Sequence, residues 1–158
     1  MSNPVNLPQD FAELLAEFAS ADVRYLIIGG YAVGFHDRPR TTKDIDLLLD
    51  SSEENLRRVT VGLQRFGAPR SVVDDIVRAS LDEIVWLGTP PVRVDLLKSA
   101  PGVDFEEAYS RRQQSEFMGV SVSIISLEDL IASKRAADRD QDRLDVANLE
   151  RVRETLAK

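Results

Sequence analysis

Two neighbouring stretches decide the fold, YLIIGGYAV at residues 25–33 and DIDLLL at residues 44–49. In the first, a short β-rich apolar run ends at Gly29-Gly30, and the apolar residues after the glycines predict a short helix. In the second, the alternation Asp44-Ile45-Asp46 predicts a strand with both carboxylates on one face and the isoleucine in the core. Together they predict a strand, a diglycine, a short helix, a loop and a second strand.

Hydrophobic periodicity predicts further elements on both sides of this unit. These are a helix after Asp10 to about Ala19, a helix from the Asp50-Ser51-Ser52 caps to about Phe66, strands at 84–87 and 92–97 joined by a four-residue turn, an edge strand at 120–125, and helices at 127–137 and 142–156. This mixture predicts an α/β or α+β fold, a mixed sheet with helices packed on it. We expect a single domain over residues 1–158, with the C-terminal helices starting near residue 126.

Composition narrows the classes of protein. The 158 residues are 43% hydrophobic, enough for one compact core. The absence of cysteine excludes disulfides, zinc-thiolate sites and thiol nucleophiles. Twenty Lys and Arg against 27 Asp and Glu give a net charge of -7, so a nucleic acid partner would need a local basic patch. No export signal and no apolar run of about 18 residues is visible, so we expect a cytoplasmic protein that does not enter the membrane.

Asp44 and Asp46 carry the first chemical signal. On one face of a strand their carboxylates lie about 6 to 7 Å apart and repel each other unless a cation neutralises them. Oxygen ligands, with a single histidine in the chain, favour Mg²⁺ or Mn²⁺ over zinc. The alternative is that Asp44 caps the strand and Asp46 is solvated.

Two further features strengthen this signal. Gly29-Gly30 lets phosphate oxygens approach backbone amides at the positive end of a helix, although a tight turn is the alternative. Asp95 lies on a run whose alternate residues face the core, so a third carboxylate is predicted on the polar face. The alternative for Asp95 is a surface ion pair with Arg93.

These residues resemble the nucleotidyltransferase superfamily, which shares the DNA polymerase β-like fold. The longer string of residues 29–33, His36, Pro39-Arg40, Thr42 and Asp44-Ile45-Asp46 is similar to small bacterial and archaeal proteins related to AbiEii-type toxins. Leu130-Ile131, Lys134, Arg139, Asp142 and Asp145 are similar to the lysine-bearing helix of those proteins and the helix after it. Many members carry a serine next to the first glycine, where this chain has Gly30 and Tyr31, so backbone amides would make that phosphate contact.

The resemblance implies transfer of a nucleoside monophosphate from a nucleoside triphosphate, ATP among them, to a hydroxyl on tRNA or protein, with an antitoxin as partner. It assigns Asp44, Asp46 and Asp95 as catalytic ligands of Mg²⁺ or Mn²⁺. It assigns nucleotide binding to Gly29, Gly30, Arg40, Thr42 and Lys134, with Asp142 orienting the lysine.

Alternatives stay open at this point. The acceptor could be a small molecule such as an antibiotic, or the chain could be a nucleotide-binding or partner-binding module without turnover. Lys134 could be a solvated helix residue, and Asp142 and Asp145 surface or capping acids. For the remaining residues we expect simpler roles. Arg38, Arg40 and Lys43 are expected to be solvated loop residues, and His36 to end the short helix or to bond within the loop. Trp86 and the phenylalanines are expected in the core.

Overall fold

The computed structural model describes residues 8–39, 43–89 and 92–158. Its strands are β1 (Tyr25–Ile28), β2 (Asp44–Leu49), β3 (Ile84–Thr89), β4 (Val92–Leu97), β5 (Gln113–Phe117) and β6 (Val120–Ile124). Its helices are α1 (Pro8–Ser20), α2 (Gly29–His36), α3 (Glu53–Phe66), α4 (Arg70–Arg78), α5 (Phe105–Ser110), α6 (Leu127–Ala137) and α7 (Asp140–Leu156). None of the helices in the described residues has the length and apolar character needed to cross a membrane. The predicted α/β class with a mixed sheet is confirmed.

The six strands form one sheet in the order β3-β4-β2-β1-β6-β5. Strand β2 runs antiparallel to β1 and parallel to β4, and β1 runs parallel to β6. The hairpins β3-β4 and β5-β6 complete the two edges. The two parallel pairs, β2-β4 and β1-β6, bring residues far apart in sequence into the same row.

The core follows from the alternation within β2 and β4. Ile45 and Leu47 lie beside Val94 and Leu96 in register, and all four are buried. Neighbouring positions in each strand point to the opposite face, so the polar residues between them gather on the other side of the sheet. The apolar residues of α1 join this core, and α1 packs against α3.

The structure corrects several expectations. Helix α2 begins at Gly29 itself, so the diglycine belongs to its first turn. Strand β3 continues through Gly88 to Thr89, which pairs with Val92, so the four-residue turn was wrong; the Pro90-Pro91 link lies outside the described residues. Strand β6 is interior, because the unpredicted β5 pairs with its outer side. Strand β5 reads QQSEF and is mostly exposed, so it has no apolar pattern to reveal it.

Asn55, at the start of α3, ties the ends of the two central strands together. It is 1% exposed. Its Oδ1 accepts from the Arg24 backbone amide at 2.8 Å, and its Nδ2 donates to the carbonyls of Arg24 and Asp50 at 3.0 and 2.7 Å. The side chain therefore pairs with the Arg24 amide and the Asp50 carbonyl, and it adds a second donor to the Arg24 carbonyl, which also accepts from the Asp50 amide at 3.2 Å.

Replacing this amide is expected to destabilise the fold. Asn55→Ala leaves buried backbone groups without partners and should lower the free energy of unfolding by about 1–3 kcal/mol in urea titrations. Gln64→Ala, on the exposed side of the same helix, is the control and should change it by less than about 0.5 kcal/mol. Equal effects of the two substitutions would contradict the role given to Asn55.

Candidate active site

Three aspartates predicted from the sequence come together on one face of the sheet. Asp46 on β2 lies opposite Asp95 on β4, and Asp44 lies opposite Arg93. Adjacent strands are about 4.8 Å apart, so the two carboxyl groups of the first pair are close neighbours. The side chains of Asp44 and Asp95 are 40% and 13% exposed. Asp95 thus shares the face of Asp46, as the alternation in β4 predicts.

Arg93 bridges two of these carboxylates. Its Nε donates to Asp95 Oδ1 at 2.7 Å, and its Nη2 lies 3.3 Å from Asp95 Oδ2 and 3.5 Å from Asp44 Oδ2. The ion pair weighed as an alternative for Asp95 is therefore present, and it lies inside the carboxylate cluster. The guanidinium offsets part of the negative charge that the strands bring together.

Asp46 is the carboxyl group that this arrangement perturbs most. Burial raises its pKa to about 6, and the neighbouring charges of Asp95 and Asp44 add to the shift, as does a hydrogen bond with Asp95. Lys134 acts in the opposite direction. Burial and crowding disfavour the ionised form of this carboxyl group, so a cation that neutralises its charge is favoured beside it.

Gly29 makes room for the Asp46 carboxylate. Its φ is +69°, and a Cβ at this position would lie 2.1 Å from Asp46 Oδ2. Only glycine satisfies both conditions. No side chain among residues 8–39, 43–89 and 92–158 caps α2, so its first amides remain available beside Asp46.

Lys134 on α6 reaches the same place from the other side. It is 9% exposed, and its Nζ lies 3.3 Å from Asp142 Oδ1 and 3.0 Å from Asp145 Oδ2, both on α7. Asp142 also accepts from the Arg139 backbone amide at 3.1 Å and from Arg139 Nε at 2.7 Å. A solvated Lys134 and a surface Asp145 were wrong, whereas the capping role of Asp142 is confirmed.

A cavity of about 200 Å³ joins these groups. Asp46, Asp95, Lys134 and Asp142 line it together with Gly29. It is smaller than the roughly 300–1,000 Å³ of pockets that enclose a whole organic ligand, so a larger substrate must extend beyond it. A larger cavity of about 440 Å³ between α2 and α7 is lined by none of the three carboxylates. The raised pKa of Asp46 identifies the cavity of about 200 Å³ as the candidate site.

The oxygen ligands in this cavity can be compared with those that the predicted Mg²⁺ or Mn²⁺ would need. In the part of the chain that the structure describes, no group of three or more His, Asp or Glu side chains is arranged to hold a metal ion. Asp46 and Asp95 nevertheless offer adjacent oxygens, and Mg²⁺ binds through one or two carboxylates plus water and substrate phosphates. The residues present therefore fit a hard cation that shares its ligands with a triphosphate.

The remaining predicted residues lie in varied places. Arg40 and Thr42 are outside the described residues, and Arg38 and Lys43 are exposed. His36 ends α2 as predicted, but its Nε2 lies 2.7 Å from the carbonyl of Ile125, in the link between β6 and α6, rather than from an atom of the loop that follows α2. It is therefore held as a structural contact.

Trp86 and Phe35 contradict the core prediction, since they are 56% and 43% exposed. The run at 84–87 is apolar throughout, so its pattern could not show which residues face outward. The Arg93 guanidinium carbon lies 4.8 Å from the Trp86 ring centroid. Sequence reasoning missed both this stacking and the bridging by Arg93. Arg93 and Asp95 are two residues apart and therefore share a face of the strand, which was the available signal for the bridging.

Comparisons with known proteins bear on the family and the fold of the chain. A family model described as "Nucleotidyltransferase of unknown function (DUF6036)" matches residues 5–155. None of the curated proteins matches the sequence. The closer likeness to AbiEii-type toxins stays a prediction.

Two solved structures are similar to the chain. Lincosamide antibiotic adenylyltransferase LnuA, in a lincomycin-bound crystal structure, has a TM-score of 0.57 and 15% identity, over 91% of this chain and 96% of that chain. An antigenic nucleotidyltransferase-like protein from Paracoccidioides brasiliensis has a TM-score of 0.49 and 15% identity, over 90% of this chain and 74% of its own. At this identity the LnuA likeness concerns the fold alone.

Gly29→Ala is expected to disable the site. The added methyl group would overlap Asp46 Oδ2, and displacement of a reacting group by about 1 Å can cost on the order of 100-fold in rate. Gly119→Ala is the control, because Gly119 also has positive φ (+84°) but has open space where a Cβ would lie. Nucleotidyl transfer, measured as pyrophosphate release, should fall in the first variant only; an equal fall in both would exclude the contact with Asp46 as the cause.

Acid should reduce the contribution of Asp142 to the free energy of unfolding. The hydrogen bond from Arg139 is the main reason that the pKa of Asp142 is lowered from 3.8 to about 2. Because the folded pKa lies below the unfolded one, this stabilisation is complete above about pH 4 and is lost as the pH falls toward 2. The difference in unfolding free energy between the parent chain and Asp142→Asn should therefore narrow over that range. Asp140→Asn, whose side chain is exposed, should show no such narrowing.

Proposed function

The chain belongs to this family of nucleotidyltransferases of unknown function, and on that premise we propose that it transfers a nucleoside monophosphate from a nucleoside triphosphate to a hydroxyl acceptor at the Asp46–Asp95 pair. The observation that carries the proposal is the in-register placement of these two carboxylates beside Gly29 and Lys134. A partly buried carboxyl pair, a glycine with positive φ and a buried lysine share one cavity.

The transfer is an in-line displacement at the α-phosphorus. The acceptor oxygen forms a bond to this phosphorus as the bond to the bridging oxygen of pyrophosphate breaks, and the hydroxyl proton passes to Asp95. Asp46 and Asp95 would hold Mg²⁺ or Mn²⁺, with Asp44 adding negative charge on the same face, and the bound ion would neutralise the triphosphate and lower the pKa of the attacking hydroxyl.

Lys134 and α2 bind the triphosphate. Two buried aspartates hold the ammonium group in the cavity, and an ammonium group at this position attracts phosphate oxygens as a point charge. The uncapped amides at the start of α2 add hydrogen-bond donors on the Gly29 side of the carboxylates. Arg40 and Thr42 are proposed to contribute from the loop before β2.

The acceptor has two candidate classes. The resemblance to toxin-related proteins favours tRNA or a protein, with an antitoxin partner. The second candidate is a small molecule, and a specific observation favours it: the chain has a net charge of -7, which repels a polyanion. LnuA, whose fold is similar, is an adenylyltransferase of a lincosamide antibiotic.

Label transfer tests the proposal. With Mg²⁺ or Mn²⁺, α-labelled ATP, CTP, GTP and UTP are offered with total RNA, with cell lysate protein and with a panel of small alcohols. We expect labelled product and pyrophosphate with one acceptor class, and a fall of at least about 100-fold in Asp95→Asn because a transition-state contact is lost. Asp140→Asn is the matched surface control and should retain activity.

The competing possibility of a binding module without turnover gives a different result. In that case the parent chain binds a non-hydrolysable triphosphate, Asp95→Asn binds it equally well, and no acceptor is labelled. That combination would overturn the proposed transfer while leaving the family assignment intact.

A further inference from the structure

We propose that Trp86 and Ile84 on β3 form the acceptor subsite of this reaction, and that it takes a small ring-bearing alcohol, neutral or cationic, rather than the end of a nucleic acid. This inference rests on the proposed function and identifies the class of its second substrate. The two residues are called the β3 shelf below.

The shelf lies on the far side of the carboxylates from the phosphate-binding elements. Ile28 pairs with Asp46, Asp46 with Asp95, and Asp95 with Trp86, so four residues on four neighbouring strands form one row across the sheet. With strands about 4.8 Å apart, the Trp86 backbone lies about 5 Å from that of Asp95 and about 14 Å from that of Ile28, which precedes Gly29. A triphosphate at Gly29 therefore leaves the Trp86 end of the row for the acceptor.

Trp86 is held in a position suited to stacking. It is 56% exposed, and the guanidinium of Arg93 stacks on its ring at 4.8 Å. Arg93 is itself fixed by its 2.7 Å bond to Asp95, so the indole is coupled to a carboxylate at the reacting centre. An indole has two faces, and a ring can stack on the face that Arg93 does not cover.

Ile84 connects the shelf to the reacting centre. It is 46% exposed and lines the carboxylate cavity. Together with Trp86 it also lines a second cavity of about 430 Å³ between β3 and α4. The two cavities meet at this side chain, so a molecule lying on the shelf can present a hydroxyl group to Asp95 while most of its volume occupies the outer cavity.

The charges around the outer cavity select the kind of molecule. Asp75 and Glu83 line it, and hydrogen bonds from Ser80 lower the pKa of Glu83, which keeps that group ionised at neutral pH. The basic residue in the lining is Arg78, which lies 3.8 Å from Asp74. An acidic, partly apolar wall repels phosphodiester chains and accepts neutral or cationic rings.

The sole tryptophan of the chain allows a direct test. Three probes, each of three units, are titrated into the full chain while its fluorescence is recorded. They are a trisaccharide of glucosamine, its neutral N-acetylated form, and a uridine trinucleotide. Both sugars should change the Trp86 emission, with the lowest Kd for the cationic one, and the trinucleotide should bind at least about tenfold more weakly than that sugar.

Variants separate stacking from general surface effects. By calorimetry, Trp86→Ala should raise the Kd of both sugars about fivefold or more, and Trp86→Phe should restore most of the affinity because a ring is retained. Glu83→Gln should weaken the cationic sugar and leave the neutral one unchanged. Leu144→Ala removes a side chain of similar exposure, 61%, on α7 and should change neither value.

The outcomes are decisive. Tightest binding of the trinucleotide, an unchanged Kd in Trp86→Ala, or the failure of both sugars to bind would each overturn the shelf. A non-hydrolysable triphosphate with Mg²⁺ is titrated separately, and the shelf variants should bind it like the parent. Failure of the parent to bind that triphosphate would count against the proposed transfer instead, whatever the sugars do.

Discussion

The structure depends on one electrostatic constraint: two acidic side chains, Asp46 and Asp95, are neighbours on adjacent parallel strands. Crowding and burial raise the pKa of Asp46, so the arrangement disfavours its ionised form and requires compensating positive charge. Arg93 provides such charge on one side and Lys134 on the other. The backbone adapts as well, since the glycine at position 29 leaves room for the Asp46 oxygen.

The positive charge that α6 supplies is itself balanced by acidic residues of α7. Lys134 and Arg139 oppose Asp142 and Asp145 in a cluster whose aspartates are 1% exposed. A buried ion cluster of this kind adds little net stability compared with apolar packing, because desolvation offsets most of the attraction. Its retention beside the carboxylate cavity is better explained by what it holds in place, an ammonium group that faces a perturbed acid.

Sequence patterns predicted the parts of the site that alternation controls. In β2 the apolar Ile45 separates two acids, and in β4 Val94 and Leu96 bracket Asp95, so period two fixed their faces. The same rule failed at 84–87, where every residue is apolar and Trp86 could be assigned to neither face. Burial of Asp145 and the contact of Arg93 with Asp44 depend on which distant elements meet, and no local pattern carries that information. Strand β5 and helix α5 were missed because each is short, and helix α4 was missed although its buried residues Val72, Val73 and Ile76 recur at helical spacing.

The position of the row in the sheet explains how two substrates could share so small a cavity. On the Gly29 side, β1 is followed by β6 and β5, and α2 covers the strand end, so that side is closed by protein. On the Trp86 side, β3 is the edge strand, and no further strand of the described residues lies beyond it. A bound triphosphate on the closed side would be fixed by buried groups, whereas a second molecule can arrive over the edge without displacing it. The asymmetry of the sheet therefore gives the carboxylate pair an inner and an outer approach, which suits the proposed transfer because two different molecules can be held side by side at the reacting centre.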